Sequence, residues 1–197
     1  YNNPKTIGNY TLLQKMEASL FQSVTTRTAG FATVPQENLT NASAIVCLLL
    51  MFIGGSPVGT AGGIKTVTFA VIILAAISSI CNKEDTEVFG RRLTKQAVSK
   101  AVAVTCMSFI IMFTSTVLLS AVTDANALDI VYETVSATAT VGLTRNLTAS
   151  LGSVGKLIII ITMYLGRVGP ISLAVAFKRS KDNQNIVRNP IEEISVG

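Results

Sequence analysis

Two short segments carry residues suited to holding a dehydrated cation by the backbone, and they stand 112 positions apart. The first is Thr28-Ala29-Gly30-Phe31, after Gln22-Ser23-Val24-Thr25-Thr26-Arg27; the second is Thr140-Val141-Gly142-Leu143-Thr144, after Val135-Ser136-Ala137-Thr138-Ala139. A strand of Thr-Val-Gly type can turn successive carbonyls toward one axis, where they replace an ion's hydration shell. Glycine supplies backbone angles that a side chain forbids. The same spacing separates Gly54-Gly55 from Gly166-Arg167. A surface turn rich in Thr and Gly is the plainer reading of either copy alone, but two copies with matching downstream breaks favour a carbonyl-lined filter.

Other candidates surround these. The run Gly54-Gly55-Ser56-Pro57-Val58-Gly59-Thr60-Ala61-Gly62-Gly63 holds five glycines and a proline, too poor in helix formers to continue either apolar flank. In hydrocarbon its unpaired N–H and C=O groups would cost several kcal/mol each, so it must border water or protein. We read it as a flexible intramembrane gate under the filter, with Gly54, Gly55, Gly59, Gly62 and Gly63 as its pliable positions. The alternative is a packing kink that lets helices approach closely. Its ending, Gly63-Ile64-Lys65-Thr66, imitates a phosphate loop, but the Gly-x-x-x-x-Gly-Lys-Thr order and a preceding soluble strand are missing.

Arg167 falls near the middle of the apolar segment 154–177, where a charge costs ~2.5–3.5 kcal/mol on insertion scales. It reads as a cation facing the ion path below the filter. Arg27 reads as support for the filter wall, through carbonyls or through acids such as Glu133; the sequence leaves its partner open. Glu17, Asp129 and Glu133 lie on or near the helices that lead into the two segments. There they raise the local cation concentration, with helix capping and solvation as equal alternatives for Asp129.

The elements that must position these residues follow from composition. A chain of 197 residues that is 49% hydrophobic and 14% charged, with a mean hydropathy of +0.53, suits a bilayer better than water. The net charge of +5 does not indicate nucleic acid, because the basic residues cluster between apolar segments. Lys83, Arg91, Arg92, Lys95 and Lys100 share one connector, and Lys178, Arg179, Lys181 and Arg188 the tail. The positive-inside rule puts both in the cytoplasm. The connectors 31–43, 123–128 and 145–153, left for the outside, contain Arg145 as their one basic residue. Histidine is absent, which removes the commonest general base and metal ligand, and Cys47, Cys81 and Cys106 lack metal-ligand spacing. The chemistry is not that of an enzyme. The start at Tyr1, without Met or a signal pattern, reads as a point partway through a longer protein.

The stretch from Asn41 to Cys81 would measure about 60 Å as one helix, roughly twice the hydrocarbon thickness. It must therefore break, giving helices near 42–53 and 64–81 around the Gly-rich loop. Segments 97–122 and 154–177 each cross once, the latter with a weak point at Gly166, Gly169 and Pro170. Pieces near 11–26 and 128–139 are too short and polar to span and read as re-entrant pore helices. The expected architecture is all-α: pore helix, filter and broken M2 helix over 1–81, a cytoplasmic connector over 82–96, a complete M1, pore helix, filter and M2 over 97–177, and a cytoplasmic tail over 178–197. Two crossings between the filters make the repeats parallel. Asn38-Leu39-Thr40, Asn41-Ala42-Ser43 and Asn146-Leu147-Thr148 also match the short glycosylation pattern, which recurs by chance.

At 23–31, at 59–66 and at Gly166-Arg167-Val168-Gly169-Pro170 the chain resembles the membrane subunit of Ktr-type potassium transporters, in the Trk/Ktr/HKT superfamily. The resemblance covers essentially the whole chain. It implies four M1–pore–M2 repeats on one polypeptide, of which this sequence carries the C-terminal portion. It further implies Gly30 and Gly142 as filter glycines, 54–63 as the gating loop, Arg167 as the gate arginine, potassium as the permeant ion and no covalent cofactor. A homodimer in the cell membrane on a cytosolic ring of nucleotide-binding regulatory subunits, with sodium stimulating uptake, belongs to the same expectation. The chain departs from the full pattern in lacking the first two filters and the third M1 helix, and each filter keeps one glycine where a tetrameric potassium channel has two. Two rivals stand beside this reading: a secondary transporter whose broken helices bind another solute or ion, and a non-conducting scaffold whose glycines pack helices.

Overall fold

Runs headed by threonine become three of the helices. In α2 (Asn41–Phe52) the Thr40 hydroxyl accepts from the Ser43 N–H at 3.3 Å, and in α4 (Lys95–Val122) Thr94 does the same for Ala97 at 3.3 Å. Each bond satisfies one of the N–H groups that a helix start leaves unpaired. α1 (Leu12–Thr25) opens with the Gln14 side chain accepting from the Thr11 N–H at 3.0 Å. The structure, a computed structural model, describes residues 4–57, 61–82, 85–88 and 90–169. Within these, α3 (Thr66–Ile80), α5 (Ala127–Thr138), the short α6 (Leu147–Ser150) and α7 (Ser153–Val168) complete seven α-helices, with one 3-10 turn at Gln36–Asn38. Gly59 of the expected gate, the helical stretch expected over 170–177 and the tail 178–197 lie outside the described residues.

One expectation is corrected. The chain is mostly helical rather than all-α, because β1 (Glu87–Val88) and β2 (Arg91–Arg92) pair antiparallel in the connector, turning at Gly90 with φ +74°. Arg167 stands in the last turn of α7, which closes at Val168 with Gly169 following at φ +83°. Only glycine takes that angle freely, so the helix stops there; the remainder of the segment expected over 154–177 lies outside the described residues.

α5 occupies the centre, packed against α2, α4 and α7, while α3 packs on α4. Its side chains from Tyr132 to Thr138 are buried throughout. One apolar cluster joins Ala44, Cys47 and Met51 of α2 to Tyr132, Val135, Ala139, Val141 and Leu143; the other joins Leu119, Ile130, Ala137, Leu147, Leu151 and Ile159.

Much of the remaining interior is polar and the exterior is apolar. Ser115 and Thr162 share a hydrogen bond of 2.7 Å between α4 and α7, and Thr116 and Thr134 one of 2.8 Å between α4 and α5. Phe109, Ile110, Phe113, Leu157, Ile160 and Ile161 face outward and exposed. This inversion suits surroundings that cannot hydrogen-bond. α4 is the one helix among the described residues long and apolar enough by itself to cross a bilayer, at about 42 Å.

Candidate functional site

The backbone of the two matched segments departs from ordinary geometry at the same positions. Thr28 and Thr140 have φ of +73° and +54°, and Gly30 and Gly142 of +77° and +95°, while the residue between each pair stays at negative φ. A β-branched residue in the left-handed region is a genuine outlier, worth ~1–3 kcal/mol of strain, and persists only where its surroundings impose it. Alternating handedness also turns successive peptide planes the same way, so their carbonyls can share one side.

Hydrogen bonds make that side visible. The N–H groups of Ala29 and Gly30 both donate to Thr25 O at 3.1 Å; those of Thr140 and Val141 donate to Ala137 O and Ser136 O at 3.1 and 2.9 Å, and that of Gly142 to Ser136 Oγ at 3.2 Å. Every one of these donors points back to the end of the preceding helix. Among the described residues no protein donor reaches the carbonyls of Thr28, Ala29, Gly30, Thr140, Val141, Gly142 or Leu143. The Phe31 carbonyl differs, because Thr25 Oγ1 donates to it at 2.7 Å. These seven acceptors on two turns are therefore left without a donor among the described residues.

The two turns meet. A β-carbon on Gly30 would overlap the Val141 carbonyl oxygen and stand 3.1 Å from its carbon. Val141 and Leu143 bury their side chains in the core, which commits them to the protein side. Phe31, at the position matching Leu143, is 70% exposed.

Beneath the turns lies the Gly-rich loop. Its neck is closed by a backbone ladder, with Gly54 N–H donating to Ile64 O at 2.9 Å, Ile64 N–H to Phe52 O at 3.2 Å and Thr66 N–H to Gly55 O at 3.2 Å. These bonds satisfy polar groups where α2 and α3 part. Gly62 presses on the second turn so closely that a β-carbon would strike the Thr140 hydroxyl and stand 2.6 Å from Ala139 O. On the other side, a β-carbon on Gly55 would reach within 3.7 Å of Arg27 O. Gly63 lies over Ala139, 3.2 Å from its β-carbon by the same measure. Gly166 of α7 meets the Thr138 carbonyl, again without room for a β-carbon. Arg167 follows it, exposed at the helix end.

The alternatives left open for Arg27 resolve toward carbonyls. Its Nη1 donates to Ile53 O at 3.3 Å and Gly54 O at 3.4 Å, joining the first turn to the carbonyl end of α2, where a positive charge is favoured. Glu133 instead accepts from Thr144 Oγ1 at 2.7 Å and from the Thr148 hydroxyl. Asp129 is neither a simple cap nor a solvated charge, because it pairs with Arg145 Nε at 2.6 Å. Glu17 of α1 makes no ion pair among the described residues.

One part of the site escaped the sequence. Arg145 appears there only as a lone basic residue in an outer connector, yet its side chain is 9% exposed and reaches three partners. Besides Asp129, it donates to Gln36 O at 3.0 Å and Glu37 O at 3.4 Å, and its guanidinium lies 5.9 Å from the centre of the Tyr132 ring. The Tyr132 hydroxyl donates to Gln36 Oε1 at 3.0 Å, which also accepts from Gln22 Nε2 at 2.8 Å. This network ties the connector after the first turn to the helix and connector around the second. Its signal in the sequence was one arginine with acids 12 and 16 positions earlier, at Glu133 and Asp129, and no spacing rule selects between them.

The family described as "TrkH: Cation transport protein" matches residues 2–188. Ktr system potassium uptake protein B of Bacillus subtilis (strain 168) is 40% identical over 197 residues, covering 100% of this chain and 44% of its own length. The protein of the same name from Vibrio alginolyticus is 36% identical over 196 residues, covering 100% of this chain and 43% of its own. Potassium/sodium uptake protein NtpJ of Enterococcus hirae is 33% identical, at 99% and 44% coverage. The chain thus spans less than half the length of these curated relatives. The crystal structure of the potassium transporter TrkH from Vibrio parahaemolyticus superposes with a TM-score of 0.74 at 18% identity, over 88% of this chain and 39% of that one, which establishes a shared fold. On the match over nearly its whole length, the chain belongs to the TrkH family of cation transport proteins.

Proposed function

We propose that the chain forms part of a pore through which potassium enters the cell, with the carbonyls of Thr28 to Gly30 and Thr140 to Leu143 replacing water around the ion. One observation carries this reading: two turns 112 positions apart, left-handed at matching Thr and Gly, meet at Gly30 and Val141 with seven carbonyls that no donor reaches among the described residues. Membership of a cation transport family carries membrane localisation, and the names of three relatives supply potassium, or potassium with sodium, as the cargo to test.

The matched turns are then the filters of two parallel repeats, α1 and α5 their pore helices, and α2 with α3 a broken M2 helix. The loop 54–63, lodged against Thr140, Ala139 and Arg27, is a gate beneath both filters, and Arg167 is a charge on the same path. Phe31 contributes its side chain rather than its carbonyl, since Thr25 engages the latter. The connector 82–96 and the tail face the cytoplasm. There a ring of nucleotide-binding regulatory subunits docks on a homodimer, and sodium acts as an activator. The protein is a conduit and not an enzyme.

Growth of a potassium-uptake-deficient bacterium on limiting potassium, with and without the full-length gene product, tests the function. Rescue that scales with potassium supports it. Rescue by another solute points to a secondary transporter, and no potassium-dependent phenotype at equal membrane expression points to a scaffold.

A further inference from the structure

α5 holds the chain that returns along it by one face. Asp129, Glu133 and Ser136 fall at i, i+4 and i+7, one stripe of a helix. Ser136 Oγ accepts from the Gly142 N–H at 3.2 Å, Glu133 Oε2 from Thr144 Oγ1 at 2.7 Å with Oε1 on the Thr148 hydroxyl, and Asp129 pairs with Arg145 at 2.6 Å. The three contacts run in register along 142–148.

The middle one stands apart chemically. Glu133 is 5% exposed, yet among the described residues no basic side chain lies within 4.0 Å of it. Arg145, next to Thr144 in the chain, is committed to Asp129 one turn earlier. A carboxylate removed from water with only hydroxyl donors is costly to retain for packing alone. A carboxylate close to a cation path also favours occupancy by a positive ion.

The counterparts on α1 at the same offset are Glu17, Phe21 and Val24. Phe21 and Val24 cannot accept a hydrogen bond, so the middle and last contacts of this clamp belong to the second turn alone.

We infer that Glu133 is a specificity-positioning residue: acting through the Thr144 hydroxyl, it holds the outer end of the 140–143 turn in the geometry that prefers potassium. This rests on the reading of 140–143 as a filter. The two turns are consequently unequal, the second rigidly held and the first held mainly by Thr25 and Arg27.

The test is competition uptake of potassium and sodium in cells expressing the full-length gene product, normalised to membrane protein, for E133Q, T144V, T144S, the E133Q/T144V double variant and G142S. Gln keeps the size and an acceptor while removing the charge; Val keeps the shape of Thr while removing the hydroxyl. E133Q and T144V should each lower the preference for potassium at least ~3-fold, a change expected from losing one charge-assisted bond. T144S should match wild type, and the double variant should fall no further than the larger single change, since both remove one link. Unaltered preference in E133Q and T144V beside a shifted G142S would overturn the role of Glu133 and leave the filter reading standing. Unaltered preference in G142S would remove the filter reading and this inference with it. If E133Q lowers the protein level, the contrast between T144V and T144S decides.

Discussion

The α-carbon of Gly30 rests against the carbonyl oxygen of Val141, so each turn forms part of the other's wall. At Gly142, by contrast, a β-carbon would meet nothing within 4 Å. Both glycines have positive φ, but only Gly30 lacks space.

Gly30→Ser should therefore be the more damaging change. It adds a collision with main chain to the backbone cost of ~1 kcal/mol or more at positive φ, whereas Gly142→Ser meets only the latter. Both should weaken the preference for potassium over sodium, with Gly142→Ser retaining near-normal membrane protein and Gly30→Ser losing some. Competition uptake beside quantitative immunoblots checks it; unchanged preference in both at normal expression contradicts the filter.

The ladder between Gly54 and Ile64 closes the loop at its neck, so residues can be removed beyond it without unpairing the ends of α2 and α3. Deleting 57–61 should raise the initial rate of potassium uptake, because a plug contributes obstruction and little else. Uptake and protein level are to be measured together. A loss of both identifies the loop as packing instead.

Arg167 should act as a barrier, since a fixed positive charge beside a cation ~8 Å away costs about 2 kcal/mol at an effective dielectric of about 20. At the end of α7 it also gains ~0.3–1 kcal/mol from the helix carbonyls, so replacement should lower stability only slightly. Uptake per membrane protein should rank Ala or Gln above Lys, with Lys near wild type. An Ala variant slower than wild type at equal expression excludes the barrier.

Arg145→Ala should leave Asp129 without its partner and unfasten the connector at Gln36 and Glu37. For a pair this shielded the loss is about 3 kcal/mol, visible as a lower midpoint of thermal unfolding in detergent. Lys should recover less than half of it, because one ammonium cannot span three acceptors as the guanidinium does. Equal midpoints for Lys and wild type would show that charge alone suffices.

Local physics wrote several elements plainly into the chain. The helix expected near 42–53 is Asn41–Phe52, and the one expected near 97–122 is Lys95–Val122, because threonine caps and the apolar runs that follow them act within a few residues of one another. Glycine also marks Gly30 and Gly142 before any fold is known, since positive φ is a property of one residue and its neighbours.

Other features depend on what arrives from far along the chain. The left-handed angle at Thr28 and Thr140 runs against threonine's own preference and is imposed by packing. The meeting of Gly30 with Val141, of Gly62 with Thr140 and of Arg145 with Gln36 joins residues 78 to 111 positions apart. No periodicity encodes such pairs; they exist because α5 is enclosed by α2, α4 and α7, which brings both turns and the loop to the end of one helix. The sequence by itself determined which residues could bend the backbone and offer carbonyls, and the tertiary structure decided how the two turns meet and which side chains hold them there.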